Sequence, residues 1–174
     1  NIFSLFLFSS YFYHRKFNNM IQRIQSLYFF AATLLLSLSF ASSYFTFNVN
    51  NQAYDVTSCG INHLAEKVSV EKPQLFWVPI ALQIVVLLLT IFMYKNRKRQ
   101  LSLAWGAFFI NVATSIWVFA TAYSFFKTQT TSNPADFNME MGFFTHASAF
   151  LFIFLGIKAV RKDKNLIDSL NRLR

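Results

Sequence analysis

The sequence predicts an all-α membrane protein, with four transmembrane helices in an antiparallel up-down-up-down bundle. Three observations lead there. Four long apolar stretches run without a charge through their middles. The segments joining them are short or polar. Charge is divided unequally between the two ends that such stretches would have. Composition agrees: of 174 residues 55% are hydrophobic and 13% charged, the latter about half the share usual in soluble domains.

Residues 1–19, NIFSLFLFSSYFYHRKFNN, hold an apolar run too short to span, with His14, Arg15 and Lys16 after it rather than before. They read as a segment upstream of a start at Met20; an interfacial helix is the alternative. The first spanning helix is expected at about 24–47. One Arg, an apolar run and the small residues Ala41, Ser42 and Ser43 also fit a cleaved leader, but the run continues through Tyr44, Phe45 and Phe47, longer than a leader core. Residues 48–74 are polar. Within them QAYDVTSCGI alternates as a strand does and stops at Gly60, so a short hairpin fits there. The second helix is expected at 75–94, with Trp77 and Tyr94 at the interfaces and Pro79 near the first turn, where a missing N–H costs little. The stretch from Phe76 to Tyr94 would reach about 28 Å as a helix, close to the thickness of a bilayer's hydrocarbon core. The linker KNRKRQ, 95–100, permits only an antiparallel hairpin to the third helix, 101–126. A polar segment, turn-rich around Asn133-Pro134, leads to the fourth helix, 141–160. The four helices form one membrane domain, 20–160. The tail 161–174 reads as a basic amphipathic segment. Leu166, Ile167, Leu170 and Leu173 lie on one side, and the pairs Lys164–Asp168 and Asp168–Arg172 support a helix that continues the fourth or lies on the membrane.

The net charge is +9. Taking the N-terminus, the 95–100 linker, and the tail together with Lys158 at the end of the fourth helix as one side, that side holds thirteen basic and two acidic residues; the other holds three basic and five acidic. Positive residues gather on the cytoplasmic side of membrane proteins, so both termini are expected there. The same bias accounts for the charge without a nucleic-acid partner. Lys95, Arg97, Lys98, Arg99, Arg161 and Lys162 are assigned to lipid headgroups, and the bilayer is the expected partner, with other membrane proteins or self-association beside it.

Gln83 and Asn111 are the deepest polar residues in the spans, at one level in antiparallel neighbours. Their reading is interhelical hydrogen bonding, with a polar path as the alternative. His146, an ionisable group within a span, reads as an interfacial histidine; proton or metal chemistry is the alternative. Asp55, Cys59 and His63 would share a face only on a helix, which Gly60 argues against, so no metal site is expected. Small residues on the third helix (Ala104, Ala107, Asn111, Thr114 or Ser115, Thr121 or Ala122) and the fourth (Ala149, Gly156, Ala159) suit a packing seam. There is no Walker loop, HExxH, GxSxG or paired intramembrane carboxylate. No catalytic residue, cofactor or metal is expected. One cysteine, Cys59, rules out an intramolecular disulfide.

MIQRIQSLY from Met20, YKNRKRQ after the second helix, and the closing IKAVRKDKNLIDSLNRLR together resemble one family. It is the group of four-helix membrane proteins from Bacteroidota catalogued as domain of unknown function 4293. The resemblance covers Met20 to Arg174. It departs at the end of the first helix, where a Phe-Pro pair is missing, and in the tail, where Leu170 and Asn171 replace small and acidic residues. It implies a bacterial inner-membrane location and no particular activity. The expected function is a non-enzymatic accessory or scaffold subunit acting through helix packing and a basic cytoplasmic face. A small oligomeric transporter or channel is the alternative.

Overall fold

Four helices and a four-stranded antiparallel sheet make up the fold in the computed structural model, which describes residues 24–49, 52–63, 75–129 and 137–172. In chain order these are α1 (Ile24–Ala41), β1 (Phe45–Val49), β2 (Gln52–Thr57), β3 (Gly60–His63), α2 (Trp77–Phe92), α3 (Arg97–Gln129), β4 (Phe137–Met139) and α4 (Met141–Arg172). The segment 1–19, most of the 48–74 connection beyond β3, and Arg174 lie outside the described residues.

The sheet corrects the all-α expectation. The first helix stops at Ala41 rather than near 47. Ser42 turns its hydroxyl back to the Leu38 carbonyl at 3.0 Å, and the chain then extends. Phe45 and Phe47 alternate with Thr46 and Asn48, a period of two that suits a strand with one buried face. The alternation at 52–57 forms β2, and Gly60 opens β3 with φ 132, in the left-handed region that favours glycine. The order is β3-β2-β1-β4. Phe45 faces Val56 on one side and Met139 on the other; Phe47 faces Tyr54 and Phe137. Thus β4, which precedes α4, pairs with β1, which follows α1.

Among the described residues three helices are long and apolar enough to cross a membrane: Ile24–Ala41, Arg97–Thr128 and Met141–Ser169. This corrects the expectation of four on length. At 16 residues, α2 reaches about 24 Å, short of a roughly 30 Å hydrocarbon core. The helices α3 and α4 are longer than expected. The linker shrinks to a turn because α3 already starts at Arg97, and α4 runs unbroken through the tail to Arg172.

The helices run alternately up and down, which gives the bundle two ends. At one end Phe45, Phe47, Tyr54, Val56 and Ile61 of the sheet pack on Phe76 and Ile80 of α2 and Val118, Ala122 and Phe125 of α3. The remainder of the bundle closes around Phe29, Leu36, Leu87, Ala104, Ala107, Ala149, Ile153 and Ile157. Outward, α1 presents Leu27, Phe30, Leu34 and Leu38; α2 presents Leu82, Val85, Leu89 and Phe92; α4 presents Phe144, Leu151 and Leu155. These are single apolar stripes at helical spacing, opposite the packed face.

Two glycines permit close approach. A Cβ on Gly142 would stand 2.5 Å from the Ser43 carbonyl oxygen, and one on Gly156 would stand 2.6 Å from the buried Phe29 ring. A Cβ on Gly106 meets nothing within 4 Å. Gly142→Ala is therefore expected to cost about 1–3 kcal/mol through forced backbone displacement. Gly106→Ala should leave stability unchanged or raise it by up to about 1 kcal/mol. Thermal unfolding of the two variants in one detergent checks the contrast.

Candidate functional site: polar junctions at the two ends of the bundle

Buried polar side chains gather at the ends of the helices and at one level between. At the end remote from the sheet, Arg97 opens α3 and forms an ion pair with Asp163 of α4. Asp163 is only 2% exposed. Gln25 of α1 completes the group: its Nε2 donates to Asp163 Oδ2 and to the Ala159 carbonyl, both at 3.2 Å. Next to it, Gln100 Nε2 donates to the Thr90 carbonyl at 3.2 Å, tying the start of α3 to the end of α2. Asn96 caps α3, its Oδ1 accepting from the Arg99 N–H at 3.3 Å. MIQRIQ supplies Gln25, YKNRKRQ supplies Arg97 and Gln100, and the RKDK stretch supplies Asp163. Segments far apart in the chain thus meet in one junction.

Midway, Gln83 Nε2 of α2 reaches the Ala107 carbonyl of α3 at 3.4 Å. Gln83 and Asn111 do not bond each other; Asn111 turns to α4 instead. Its Nδ2 lies 3.2 Å from Nε2 of His146, and both residues are buried. His146 is 4% exposed, which corrects the expectation that it reaches water. The cover is the start of the sheet: the Tyr44 ring meets the imidazole edge-on at 5.9 Å between centroids. Tyr44 also bonds Ser39 of α1, Oη to Oγ at 3.4 Å. Burial pushes the Tyr44 phenol above its ordinary value, offset in part by this hydrogen bond, so it stays neutral well into the alkaline range. Beside the imidazole is a cavity of about 30 Å³ lined by Tyr44, Phe45, Ser115, Val118, Phe143, His146 and Ala147, room for a water molecule. Among the described residues, His146 Nδ1 and Gln83 Oε1 have no hydrogen-bond partner.

Other candidates fall as follows. Lys95, Lys98, Arg99, Arg161 and Lys162 are exposed, whereas Arg97 is turned inward to Asp163 and is not free for a headgroup. Asp55 pairs in register with Asn62, one position from the Tyr54–His63 pair, so Asp55 and His63 lie on opposite faces of the sheet. Cys59 is exposed at the turn between β2 and β3. Among the described residues no group of three His, Cys, Asp or Glu could hold a metal. Ala104, Ala107, Thr114, Ala122, Ala149 and Gly156 are buried in helix packing. Sequence reasoning missed Gln25, Gln100 and Asp163. The available signal for Asp163 was an acid set among Arg161, Lys162 and Lys164, directly after an apolar span.

Helices with apolar outward stripes, polar groups turned inward and a sheet at one end define a membrane-associated protein. The family model described as a domain of unknown function, DUF4293, matches residues 21–173, and the chain belongs to that family. No curated protein matches it.

Removing one member of the buried pair strands the other charge. Asp163→Asn or Arg97→Gln is expected to lower stability by about 3–5 kcal/mol, while replacing both with Leu should cost much less. Unfolding in detergent micelles across this four-protein cycle checks it. Midway along the bundle, the Asn111→Ala/His146→Ala cycle should give a coupling of about 0.6 kcal/mol, the usual size for an interhelical bond in lipid.

Proposed function

We propose that the chain is a multi-pass protein of the bacterial inner membrane, acting as a non-enzymatic accessory or scaffold subunit. Its basic end lies in the cytoplasm and its sheet outside. The observation that carries this reading is where the bundle's buried polar side chains are spent. Gln25, Gln83, Gln100, Asn111 and Asp163 each bond another helix. Such bonds fix helices against one another rather than line a route.

The orientation is supported by the cations at the end remote from the sheet, Lys95, Lys98, Arg99, Arg161 and Lys162. The family resemblance supports the inner membrane. Although short, α2 carries the same exposed apolar stripe as its neighbours, and the start of α1 meets the later part of α4 at the basic end through Gln25 and Asp163. One observation favours the alternative, a small oligomeric transporter: His146 beside its cavity, with Nδ1 unbonded among the described residues.

Cys59 is the only cysteine and is exposed near the outer edge of the sheet. A membrane-impermeant maleimide added to spheroplasts should label it. A Cys59→Ser/Lys98→Cys chain should react only after permeabilisation. The reverse pattern overturns the orientation. For the activity, a protein of fixed stoichiometry co-purifying in mild detergent supports the accessory reading, whereas a self-associated form that conducts in liposomes supports the transporter.

A further inference from the structure

We propose that the basic end of the bundle holds an anionic phospholipid, its headgroup clasped between the α2–α3 turn and α4. This rests on the membrane reading above, though not on which compartment the basic end faces. The buried Arg97–Asp163 pair joins the start of α3 to α4 at that end. It consumes one cation and leaves two clusters beside the join. Lys95, Lys98 and Arg99 are exposed on one side, and Arg161 and Lys162 on the other. None of the five has an ion-pair partner among the described residues. The acids described at this end are Asp163, already taken, and Asp168, which stands further along α4. The join therefore gathers uncompensated positive charge where two helices meet.

The neighbouring surface decides which anion fits. Phe92 is 75% exposed and Tyr94 44% exposed at the end of α2, just before Lys95. On α4, Leu155 is exposed nearly two turns before the cations and Leu166 about one turn after them. Lys158 lays its ammonium 4.9 Å from the Phe154 ring centroid, one turn back along α4. A free phosphate would meet only the cations. A phospholipid offers a phosphate to them and acyl chains to the apolar residues beside them. An acidic protein segment would leave those apolar residues uncovered.

Native mass spectrometry of the full chain, released from detergent with phosphatidylglycerol or phosphatidylcholine, tests the site. Phosphatidylglycerol adducts should survive activation that strips phosphatidylcholine. The Lys95→Gln/Lys98→Gln/Arg99→Gln variant and the Arg161→Gln/Lys162→Gln variant should each lose them by about ten-fold or more, each cation near anionic lipid contributing about five-fold. All five residues are exposed, so folding should be unaffected; unfolding in detergent checks this. Equal retention of the two lipids, or loss in only one variant, overturns the clasp. The assay does not depend on orientation, so a reversed Cys59 labelling pattern would sink the proposed topology while leaving this result standing.

Discussion

The structure depends on one constraint: the outward faces of its helices are apolar, so polar groups must find their partners inside. Leu27, Phe30, Leu34 and Leu38 would be an uncompensated cost in water and cost nothing in lipid. The same solvent offers no hydrogen bonds, and the hydroxyls show how this is met. Thr33 bonds the Phe29 carbonyl, Thr90 the Val86 carbonyl, Thr114 the Ile110 carbonyl and Ser115 the Asn111 carbonyl, all within their own helices. Serine and threonine can therefore stand in these helices without any role in transport. The amide side chains of Gln25, Gln83, Gln100 and Asn111 cross to a neighbouring helix instead.

Helix length then assigns the two ends different tasks. With 33 and 32 residues, α3 and α4 each reach about 50 Å, well beyond a hydrocarbon core of roughly 30 Å. They overhang in opposite directions. The excess of α3 carries Val118, Ala122 and Phe125 up beneath the sheet, which gives the aromatic face of β1 and β2 something to pack on. The excess of α4 carries its cations and Asp163 past the apolar zone at the other end. The shorter α2 needs no overhang, since it begins under the sheet at Phe76 and ends at the capped turn into α3.

Helix positions were legible in the sequence because apolar length is a one-dimensional signal. The strands were legible only in part. QAYDVT alternates cleanly and shows itself, but Tyr44–Phe47 follows the first apolar helix almost without a break, and a short aromatic run fits helix and strand alike. Only pairing with β2 and β4 separates the two, and β4 is three residues long. The polar residues of the spans were visible one by one, but their partners were not. Asn111 and His146 lie on different helices, and which of them meet depends on helix rotation. Asp163 was hidden for another reason: an acid among lysines and arginines in a tail reads as solvated, and the unbroken length of α4 buries it.

Between helices in lipid, apolar contact discriminates weakly, because a neighbouring helix is no more apolar than the lipid it displaces. Packing of Ala107 or Ile153 alone would tolerate several rotations of α3 against α4. Directional contacts remove that freedom, and here they sit at both ends and, through Gln83 and the Asn111–His146 pair, at one level between. At one end, Gln25, Arg97 and Asp163 fix α1, α3 and α4 against one another. At the other, the β1–β4 pairing joins the chain leaving α1 to the chain entering α4, and Gly142 N–H donates to the Ser43 carbonyl at 2.9 Å. A bundle held at both ends and at one level between has one register, and the apolar residues around these contacts need only to fill the remaining space. The buried charge pair is thus better understood as a source of specificity than of stability, since an apolar pair of similar volume could replace its energy but not its direction.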